Sequence, residues 1–462
     1  MLLTWVFALL LPCLAFSQSN STVETLPGFP GELPFKLETG YVGVGEADEV
    51  QLFYYFIESE RSPKDDPLLL WLTGGPGCSA LSGLLYEIGP FTFDYANSNR
   101  GEPIMKGNPY SWTKVANIIF LDSPVGTGFS YAKSAEAYNV TDTIVAEQAY
   151  SFLRKWLVDH PAFLTNPLYI SGDSYSGIII PIIVQKIYEG IDSGHHPRLN
   201  IQGYVLGNPF TDEIKDLNSR IPFAHRVSFL SNDLYETTKA YCNGTYIDVD
   251  PNNTLCADNL QLARECLEKI FPNNILEPLC DALSPKPDPL KWNPDALVED
   301  PHHLLTSLPG PWCRSYNYLY SYIWANDKRV QEALHVREGT KEKWLRCNRT
   351  LSYTYDVKNS FPYHKNLTEK RCRALIYSGD HDMVIPYVGT KGWVDLLSLP
   401  EIHGYEPWFV DGDVAGYSEL YTNTNVYQLT FATVKGAGHT APEYNPKQCL
   451  AMVSRWLSHF PL

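Results

Sequence analysis

The sequence predicts an α/β fold in which helices flank a mostly parallel β-sheet. Short apolar runs rich in Ile, Leu, Val and Tyr recur along the chain, as the buried strands of a parallel sheet do. A helical pattern lies between two of these runs, and the order strand, helix, strand indicates parallel pairing. The alternation stops near residue 209 and resumes near residue 321, so an insertion divides the predicted core.

The first part of the core is assigned to residues 18–208. Residues 41–57 predict a β-hairpin. Further strands are predicted at 68–72, 117–121, 168–171 and 201–207. Between the second and third of these strands, apolar residues at helical spacing predict a helix with Asp142 as its N-cap.

The stretch 209–320 is predicted to be a cap inserted into the core. It holds five cysteines and short amphipathic segments. Within it, residues 283–312 carry seven prolines, which exclude regular structure and mark a loop or protease-sensitive linker. The second part of the core, 321–462, contains predicted strands at 373–378 and 428–434 and a last helix at 446–459.

The composition excludes two broad classes of protein. In 462 residues, 36 Lys and Arg stand against 52 Asp and Glu, a net charge of −16, which argues against a nucleic-acid-binding face. With 44% hydrophobic and 19% charged residues, the chain has enough apolar material for a packed core, so most of it is not disordered.

The N-terminal residues 1–17 are typical of a secretory signal peptide. They carry no charged side chain and run through a leucine-rich stretch to the small residues Ala15 and Ser17. This run is shorter than the roughly 20 residues that span a bilayer. We therefore expect a mature protein that starts near Gln18, enters the secretory pathway and has no membrane anchor.

Two further counts favour the secretory pathway. Six sequons are candidate glycosylation sites, at Asn20, Asn139, Asn243, Asn252, Asn348 and Asn366. Nine cysteines remain after Cys13 is removed, and most should pair in an oxidising compartment, with at least one left free. Their spacing matches no zinc or CxxC redox pattern, so neither a metal site nor another cofactor is predicted.

Ser174 is predicted to occupy a sharp turn between an apolar strand and an apolar helix. The small residues Gly172, Ser176 and Gly177 flank it. This is the nucleophile elbow of α/β-hydrolases, in which the tight turn exposes the hydroxyl and the following helix N-terminus offers amides to an anion. Because a Ser hydroxyl needs a base to remove its proton, the elbow predicts an acid and a His further along the chain.

The predicted acid and base follow the last two strands of the core. Asp382 comes three residues after Gly379 and shortly before a proline, the usual place of the acid in this fold. It is preferred to Asp380, which is assigned to the turn itself. His439 follows strand 428–434 on a loop with two glycines, the place where the base is expected.

A glycine-rich loop after strand 68–72 predicts an anion hole. The amides of Gly75 in this loop and of Tyr175 are expected to point at the oxyanion of a tetrahedral intermediate. Taken alone, the loop also suits a plain tight turn. Its combination with the elbow favours the anion hole.

Five segments of the chain resemble the serine carboxypeptidase family. They are WLTGGPGCSAL, NPYSWTKVANIIFLDSPVGTGFSY, YISGDSYSG, IYSGDHD and KGAGHTAPEYNP, spread over nearly the whole mature chain. The resemblance implies an α/β-hydrolase core with a disulfide-containing cap and a triad of Ser174, Asp382 and His439. It also implies the disulfides Cys78–Cys347, Cys242–Cys256 and Cys280–Cys313, with Cys266, Cys372 and Cys449 unpaired.

Two residues depart from the pattern of the family's peptidases. Those enzymes have Asn before the Gly-Gly pair and Glu before the nucleophile, and with a further Glu these residues hold the substrate's terminal carboxylate. Here Thr73 and Asp173 take the first two places, and Glu87 keeps the third. A shorter carboxylate, and a hydroxyl in place of an amide, should weaken the clamp because such hydrogen bonds depend on fractions of an ångström.

The combination of Thr73, Asp173 and residues 321–336 resembles the plant serine carboxypeptidase-like acyltransferases. This implies transfer of an acyl group from a 1-O-β-glucose ester to an alcohol of specialised metabolism, with a vacuolar or extracellular location. It also implies a cut within 283–312 that leaves two disulfide-linked chains. A carboxypeptidase that releases C-terminal residues is the alternative function, and a catalytically inactive binding protein is a third.

Overall fold

The computed structural model describes residues 21–98, 103–279, 314–423 and 426–462. The predictions for the signal peptide, Asn20, the Cys280–Cys313 disulfide and the linker 283–312 lie outside these residues. The described strands are β1 (Ser21–Thr25), β2 (Glu32–Val44), β3 (Val50–Ile57), β4 (Leu68–Leu72), β5 (Phe91–Phe93), β6 (Met105–Gly107), β7 (Asn117–Leu121), β8 (Tyr131–Ala132), β9 (Val140–Thr141), β10 (Leu168–Asp173), β11 (Ile201–Gly207), β12 (Tyr353–Thr354), β13 (Cys372–Gly379), β14 (Glu401–Val410), β15 (Asp413–Asn423) and β16 (Tyr427–Val434).

Twelve of these strands form one mixed sheet, which confirms the predicted α/β class. The order is β1-β2-β3-β7-β4-β10-β11-β13-β16-β15-β14, and β8 pairs with β3. The six strands from β7 to β16 run parallel to their neighbours. The strands towards both edges are antiparallel, and hairpins join most of them to their neighbours.

Helices cover both faces of the sheet. The described helices are α1 (Asp142–Asp159), α2 (Ser176–Asp192), α3 (Glu213–Asn218), α4 (Arg220–Arg226), α5 (Asn232–Cys242), α6 (Thr254–Leu267), α7 (Tyr318–Ala325), α8 (Lys328–Ala333), α9 (Phe361–Leu367), α10 (Tyr387–Leu396), α11 (Ala441–Tyr444) and α12 (Pro446–Leu457). Helices α1, α2 and α10 pack on one face, and α7 and α12 pack on the other. None of the helices in the described part is long and apolar enough to cross a membrane.

Burial on both faces explains why the central strands read as unbroken apolar runs. All five residues of β4 are buried, and successive side chains enter opposite cores. Leu69 and Trp71 pack in the core under α12, whereas Leu70 packs in the core under α1 and α2. An edge strand needs only one apolar face, so its sequence signal is weaker.

The start of α1 corrects the predicted N-cap. Thr141 is the capping residue, because its hydroxyl accepts a hydrogen bond from the amide of Ile144 at 3.3 Å. Asp142 is the first helical residue, and its side chain is fully buried. Both residue types cap helices well, so the local sequence does not distinguish them.

The predicted cap is described over residues 209–279 and 314–320, and the first of these ranges folds mainly as helices α3 to α6. The Cys242–Cys256 disulfide joins α5 to α6, and Ile221 of α4 packs against Ala263 of α6. The Cys78–Cys347 disulfide ties the loop after β4 to a distant part of the chain. Both bridges agree with the family resemblance, as do the free thiols of Cys266, Cys372 and Cys449.

The capping role of Thr141 leads to a test by mutation. Thr141→Ala should lower the free energy of unfolding by about 1 kcal/mol, because the amide of Ile144 loses its acceptor. Thr141→Ser keeps the hydroxyl and is the matched control. Urea unfolding measures both variants, and an Ala variant as stable as the wild type would show that Thr141 does not cap α1.

Candidate active site

Ser174 lies in a tight turn between the end of β10 and the start of α2. Its φ of 53° is in the left-handed region, which a residue with a side chain adopts only when its surroundings enforce it. Here the amide of Ser174 donates to Gly207 O at 2.9 Å, and its carbonyl accepts from Phe210 N at 2.9 Å. A Cβ on Gly172 would lie 2.1 Å from Leu72 O, so only glycine fits beneath this turn.

The structure brings the three predicted triad residues into one line of hydrogen bonds. His439 Nε2 lies 2.8 Å from Ser174 Oγ, and His439 Nδ1 lies 2.8 Å from Asp382 Oδ2. A proton on Nδ1 is held by the carboxylate, which leaves Nε2 free to accept the proton of the Ser hydroxyl. Both His439 and Asp382 are buried.

The charge of Asp382 governs the basicity of His439. Burial lowers the pKa of the imidazole, but the neighbouring charge of Asp382 and its hydrogen bond outweigh burial, so the pKa lies above its usual value.

Asp380, the alternative to Asp382 in the sequence, lies outside the line of triad hydrogen bonds. Its carboxylate accepts from Gly436 N at 2.7 Å and pairs with Lys435 at 2.6 Å, so it holds the loop of His439 without contacting the imidazole.

Asp382 is oriented by partners that the sequence analysis did not identify. Asn208 Nδ2 donates to Asp382 Oδ2 at 2.8 Å. The amides of Val384 and Ile385 donate to Oδ1 at 2.7 and 3.2 Å. Asn208 directly follows β11, and no feature of its local sequence marks it as part of the site.

The two predicted oxyanion donors lie beside Ser174. Gly75 and Tyr175 both line the cavity that contains the nucleophile. Gly75 has a φ of 123°, which favours glycine, and a Cβ on Gly74 would lie 2.8 Å from Tyr175 N. Neither amide donates to another residue in the described ranges. The arrangement leaves two N–H groups available to an anion.

The three residues of the predicted carboxylate clamp are largely buried away from this cavity. Thr73 Oγ1 accepts from Trp71 Nε1 at 3.1 Å, and Asp173 Oδ1 accepts from Gly74 N at 3.0 Å. Glu87 is buried, and its Oε2 has no partner among the described residues. None of Thr73, Glu87 and Asp173 is among the residues that line the cavity.

Burial raises the proton affinity of both clamp carboxyls. Burial raises the pKa of Asp173 to about 6, although His439 and the Gly74 amide oppose the shift. Burial also raises the pKa of Glu87 well above its usual value, and the charge of Asp173 adds to this effect. At mildly acidic pH the pair therefore retains at least one proton.

The cavity next to Ser174 has a volume of about 310 Å³ and a mixed lining. The lining residues are Gly75, Pro76, Ser174, Tyr175, Phe210, Glu213, Arg220, Tyr355, Val357, Lys358, Val384 and Ile385. Tyr175 and Phe210 stack with ring centroids 5.9 Å apart. Lys358 and Glu213 form an ion pair at 3.1 Å. The cavity thus offers a flat aromatic and aliphatic wall with charged groups at its polar side.

Asp142, predicted only as a helix cap, instead holds two walls of this cavity. Its Oδ1 accepts from the hydroxyls of Tyr175 and Tyr353, each at 2.7 Å. Its Oδ2 accepts from Val357 N at 2.9 Å. The buried carboxylate therefore fixes Tyr175, whose amide is a predicted oxyanion donor, and the segment 353–357.

The described sequons differ in exposure. Asn139, Asn243, Asn252 and Asn366 are exposed. Asn348 is half-buried, and its Nδ2 donates to Gly126 O at 3.1 Å. The described residues contain no group of three or more His, Cys, Asp or Glu side chains placed to hold a metal ion.

Comparisons with known proteins agree with the geometry. The model of the serine carboxypeptidase family matches residues 27–459. Serine carboxypeptidase-like 17 of Arabidopsis thaliana is 46% identical over 462 residues, which cover 100% of this chain and 98% of that protein. Serine carboxypeptidase-like 1 of the same plant is 46% identical over 444 residues, 96% of this chain and 94% of that protein. A prohormone-processing carboxypeptidase from Saccharomyces cerevisiae shares the fold, with a TM-score of 0.72, 20% identity and 95% of each chain covered.

The contacts of Asp142 predict an effect on the reactivity of Ser174. Asp142→Asn should slow phosphonylation of Ser174 by a fluorophosphonate about tenfold, because a neutral amide holds two Tyr hydroxyls and an amide less firmly. Asp159→Asn is the matched control, since Asp159 lies exposed at the other end of the same helix. Equal labelling rates in the wild type and both variants would remove Asp142 from the site.

Proposed function

The chain belongs to the serine carboxypeptidase family of enzymes, and from this premise we propose that it is an acyltransferase. The reaction moves an acyl group from a 1-O-β-glucose ester to an alcohol acceptor of plant specialised metabolism. Ser174 is the nucleophile, His439 the base, Asp382 the residue that orients the base, and Gly75 and Tyr175 are the oxyanion donors. The distances of 2.8 Å from His439 to Ser174 and to Asp382 support these roles.

The observation that carries the choice of acyl transfer is the altered carboxylate clamp. A peptidase needs donors that face the terminal carboxylate of its substrate. The hydroxyl of Thr73 is bonded to Trp71, and the shorter carboxylate of Asp173 is bonded to the amide of Gly74. Neither residue lines the cavity, and a hydroxyl and a shorter carboxyl stand where the peptidases have an amide and a longer carboxyl. The clamp on a peptide C-terminus is therefore weaker, whereas an ester without that carboxylate does not need it.

The first half of the proposed reaction forms an acyl-enzyme. Ser174 Oγ attacks the ester carbonyl while His439 Nε2 takes its proton. The carbonyl oxygen becomes an oxyanion that accepts hydrogen bonds from the amides of Gly75 and Tyr175. When the intermediate collapses, the bond to the glucose oxygen breaks, and His439 returns its proton to that oxygen.

The second half transfers the acyl group to the acceptor. His439 removes the proton of the acceptor hydroxyl, whose oxygen attacks the acyl carbon. When this second intermediate collapses, the bond to Ser174 Oγ breaks and His439 returns the proton to that oxygen. Transfer exceeds hydrolysis only when the acceptor is held over the acyl-enzyme and water is excluded. The apolar wall of Phe210, Val384 and Ile385 supports this requirement, because it offers water no hydrogen-bond partners.

A serine carboxypeptidase is the second candidate, and the buried carboxyl pair favours it. Burial raises the pKa values of Glu87 and Asp173, and the charge of Asp173 raises that of Glu87 further, so the pair can donate a proton to a terminal carboxylate at mildly acidic pH. The two candidates share every catalytic residue. They differ in the leaving group, which is a sugar in one case and an amino acid in the other.

The cellular location is part of the same proposal. Two disulfides are consistent with folding in an oxidising compartment. We place the enzyme in the vacuole or outside the cell, with proteolytic cleavage within 283–312 and two chains that remain linked by disulfides. Its proposed partners are the glucose-ester donor and the alcohol acceptor, without nucleic acid or a membrane anchor.

The acyl-enzyme provides the first test. Mass spectrometry of the protein incubated with a panel of 1-O-acylglucoses should find the acyl group on the peptide of Ser174, and an added alcohol should remove it as an ester. Ser174→Ala should lower turnover by about four orders of magnitude or more. Ser193→Ala, an exposed serine at the other end of α2, is the control that keeps full activity. Cleavage of a blocked dipeptide without acylation by any glucose ester would contradict acyl transfer.

The clamp provides the second test. Thr73→Asn combined with Asp173→Glu should raise kcat/KM for a blocked dipeptide at least tenfold, because the longer carboxyl and the amide restore two partners of the terminal carboxylate. Each single variant is assayed beside the double variant. An unchanged rate of peptide hydrolysis in the double variant would show that residues of the cap, and not these two positions, separate the functions.

A further inference from the structure

Arg220 is a cation in the wall of the cavity that contains Ser174. It is the first residue of α4, and its guanidinium is mostly surrounded by protein. Nε and Nη2 both donate to the carbonyl oxygen of Val384, at 3.1 and 2.8 Å. These two hydrogen bonds hold a long, flexible side chain in one geometry, at a cost in conformational entropy.

The residue that Arg220 holds is also the one that orients the proposed acid. The amide of Val384 donates to Asp382 Oδ1 at 2.7 Å, and Asp382 Oδ2 binds His439 Nδ1 at 2.8 Å. One continuous path of hydrogen bonds therefore runs from Arg220 through Val384 and Asp382 to His439. Arg220 comes from the cap, whereas Asp382 and His439 come from loops of the sheet.

The guanidinium also acts on this site through its charge. The charged groups that face His439 are Asp382, Asp173 and Arg220. Those that face Arg220 are Asp382 and Asp216, with Glu213 and Lys358 in the same cavity lining. Asp382 and Asp173 raise the pKa of His439, and Arg220 lowers it, because a second positive charge disfavours the imidazolium.

We propose that Arg220 is a positioning residue of the reaction: it holds the turn that carries Asp382 through the Val384 carbonyl and opposes the positive charge on His439. The cap thereby takes part in setting both the orientation and the basicity of the base. The inference rests on the proposed roles of Ser174 and His439, and it adds a residue that neither acts as acid, base or nucleophile nor lies in the clamp.

Two variants separate the position of Arg220 from its charge. Arg220→Lys keeps the positive charge but loses the two-pronged contact with Val384. Arg220→Gln keeps a donor but loses the charge. Arg226→Gln is the matched control, because Arg226 lies exposed at the other end of the same helix.

The readout is the rate at which a fluorophosphonate labels Ser174 between about pH 5 and pH 8, which requires no knowledge of the natural substrate. Labelling rises as His439 loses its proton. In Arg220→Gln, the midpoint of this rise should move to higher pH by about 0.5 unit and the plateau should fall about tenfold. In Arg220→Lys, the plateau should fall while the midpoint stays within about 0.2 unit of wild type. Arg226→Gln should match the wild type in both respects.

Different outcomes overturn different claims. Folded wild-type protein that is not labelled at Ser174 would overturn the proposed nucleophile, and this inference with it. Normal wild-type labelling with an unchanged profile in Arg220→Gln would overturn the inference alone. If the Gln variant does not fold, as judged by circular dichroism, the Lys variant decides, and a wild-type plateau in that variant rejects the positioning role.

Discussion

The site depends on the left-handed backbone conformation of Ser174. A φ of 53° at a residue with a side chain costs on the order of 1 to 3 kcal/mol, which the surrounding contacts must supply. Hydrogen bonds to Gly207 and Phe210 fix the turn on both sides, and the absence of a side chain at Gly172 lets β4 pass directly beneath it. This conformation turns the hydroxyl towards His439, and the next residue, Tyr175, lines the cavity.

Buried carboxylates hold the loops around this turn. Asp142 binds the segment 353–357, and Asp382 binds the turn that follows it. Asp122 accepts from Ser79 Oγ at 2.6 Å and from Ala80 N at 2.9 Å, and thereby holds the loop that carries Gly75. Burial raises the pKa of Asp122 to about 6, against the effect of these hydrogen bonds. Loops have few backbone partners of their own, so a single charged acceptor can fix several amides at once.

The parts that the sequence predicts well are those with a local physical signal. The strands β4, β7 and β11 begin and end as predicted, because burial on both faces makes most of each run apolar. The hairpin of β14 and β15 was not predicted. Most side chains of β14 are exposed, so its apolar pattern is weak.

The parts that the sequence does not predict depend on contacts between distant segments. Asp is a residue type common at the start of a helix, so the sequence assigns Asp142 to that role. Its second role depends on the approach of Tyr175 and Tyr353. Asn208 and Arg220 lie 174 and 164 positions from the residues they bind. No spacing rule joins such pairs. The parallel pairing of β11 with β13 brings Asn208 to Asp382, whereas the path of the cap brings Arg220 to Val384.

The crystal structure of the protein after reaction with a fluorophosphonate tests the central claim most directly, because the adduct mimics the tetrahedral intermediate. The account predicts one phosphorus on Ser174 Oγ, with its free oxygen about 3 Å from the amides of both Gly75 and Tyr175 and with His439 still bonded to Asp382. A phosphonyl oxygen that points away from both amides, or an adduct on a different residue, would contradict the proposed acyl-transfer centre.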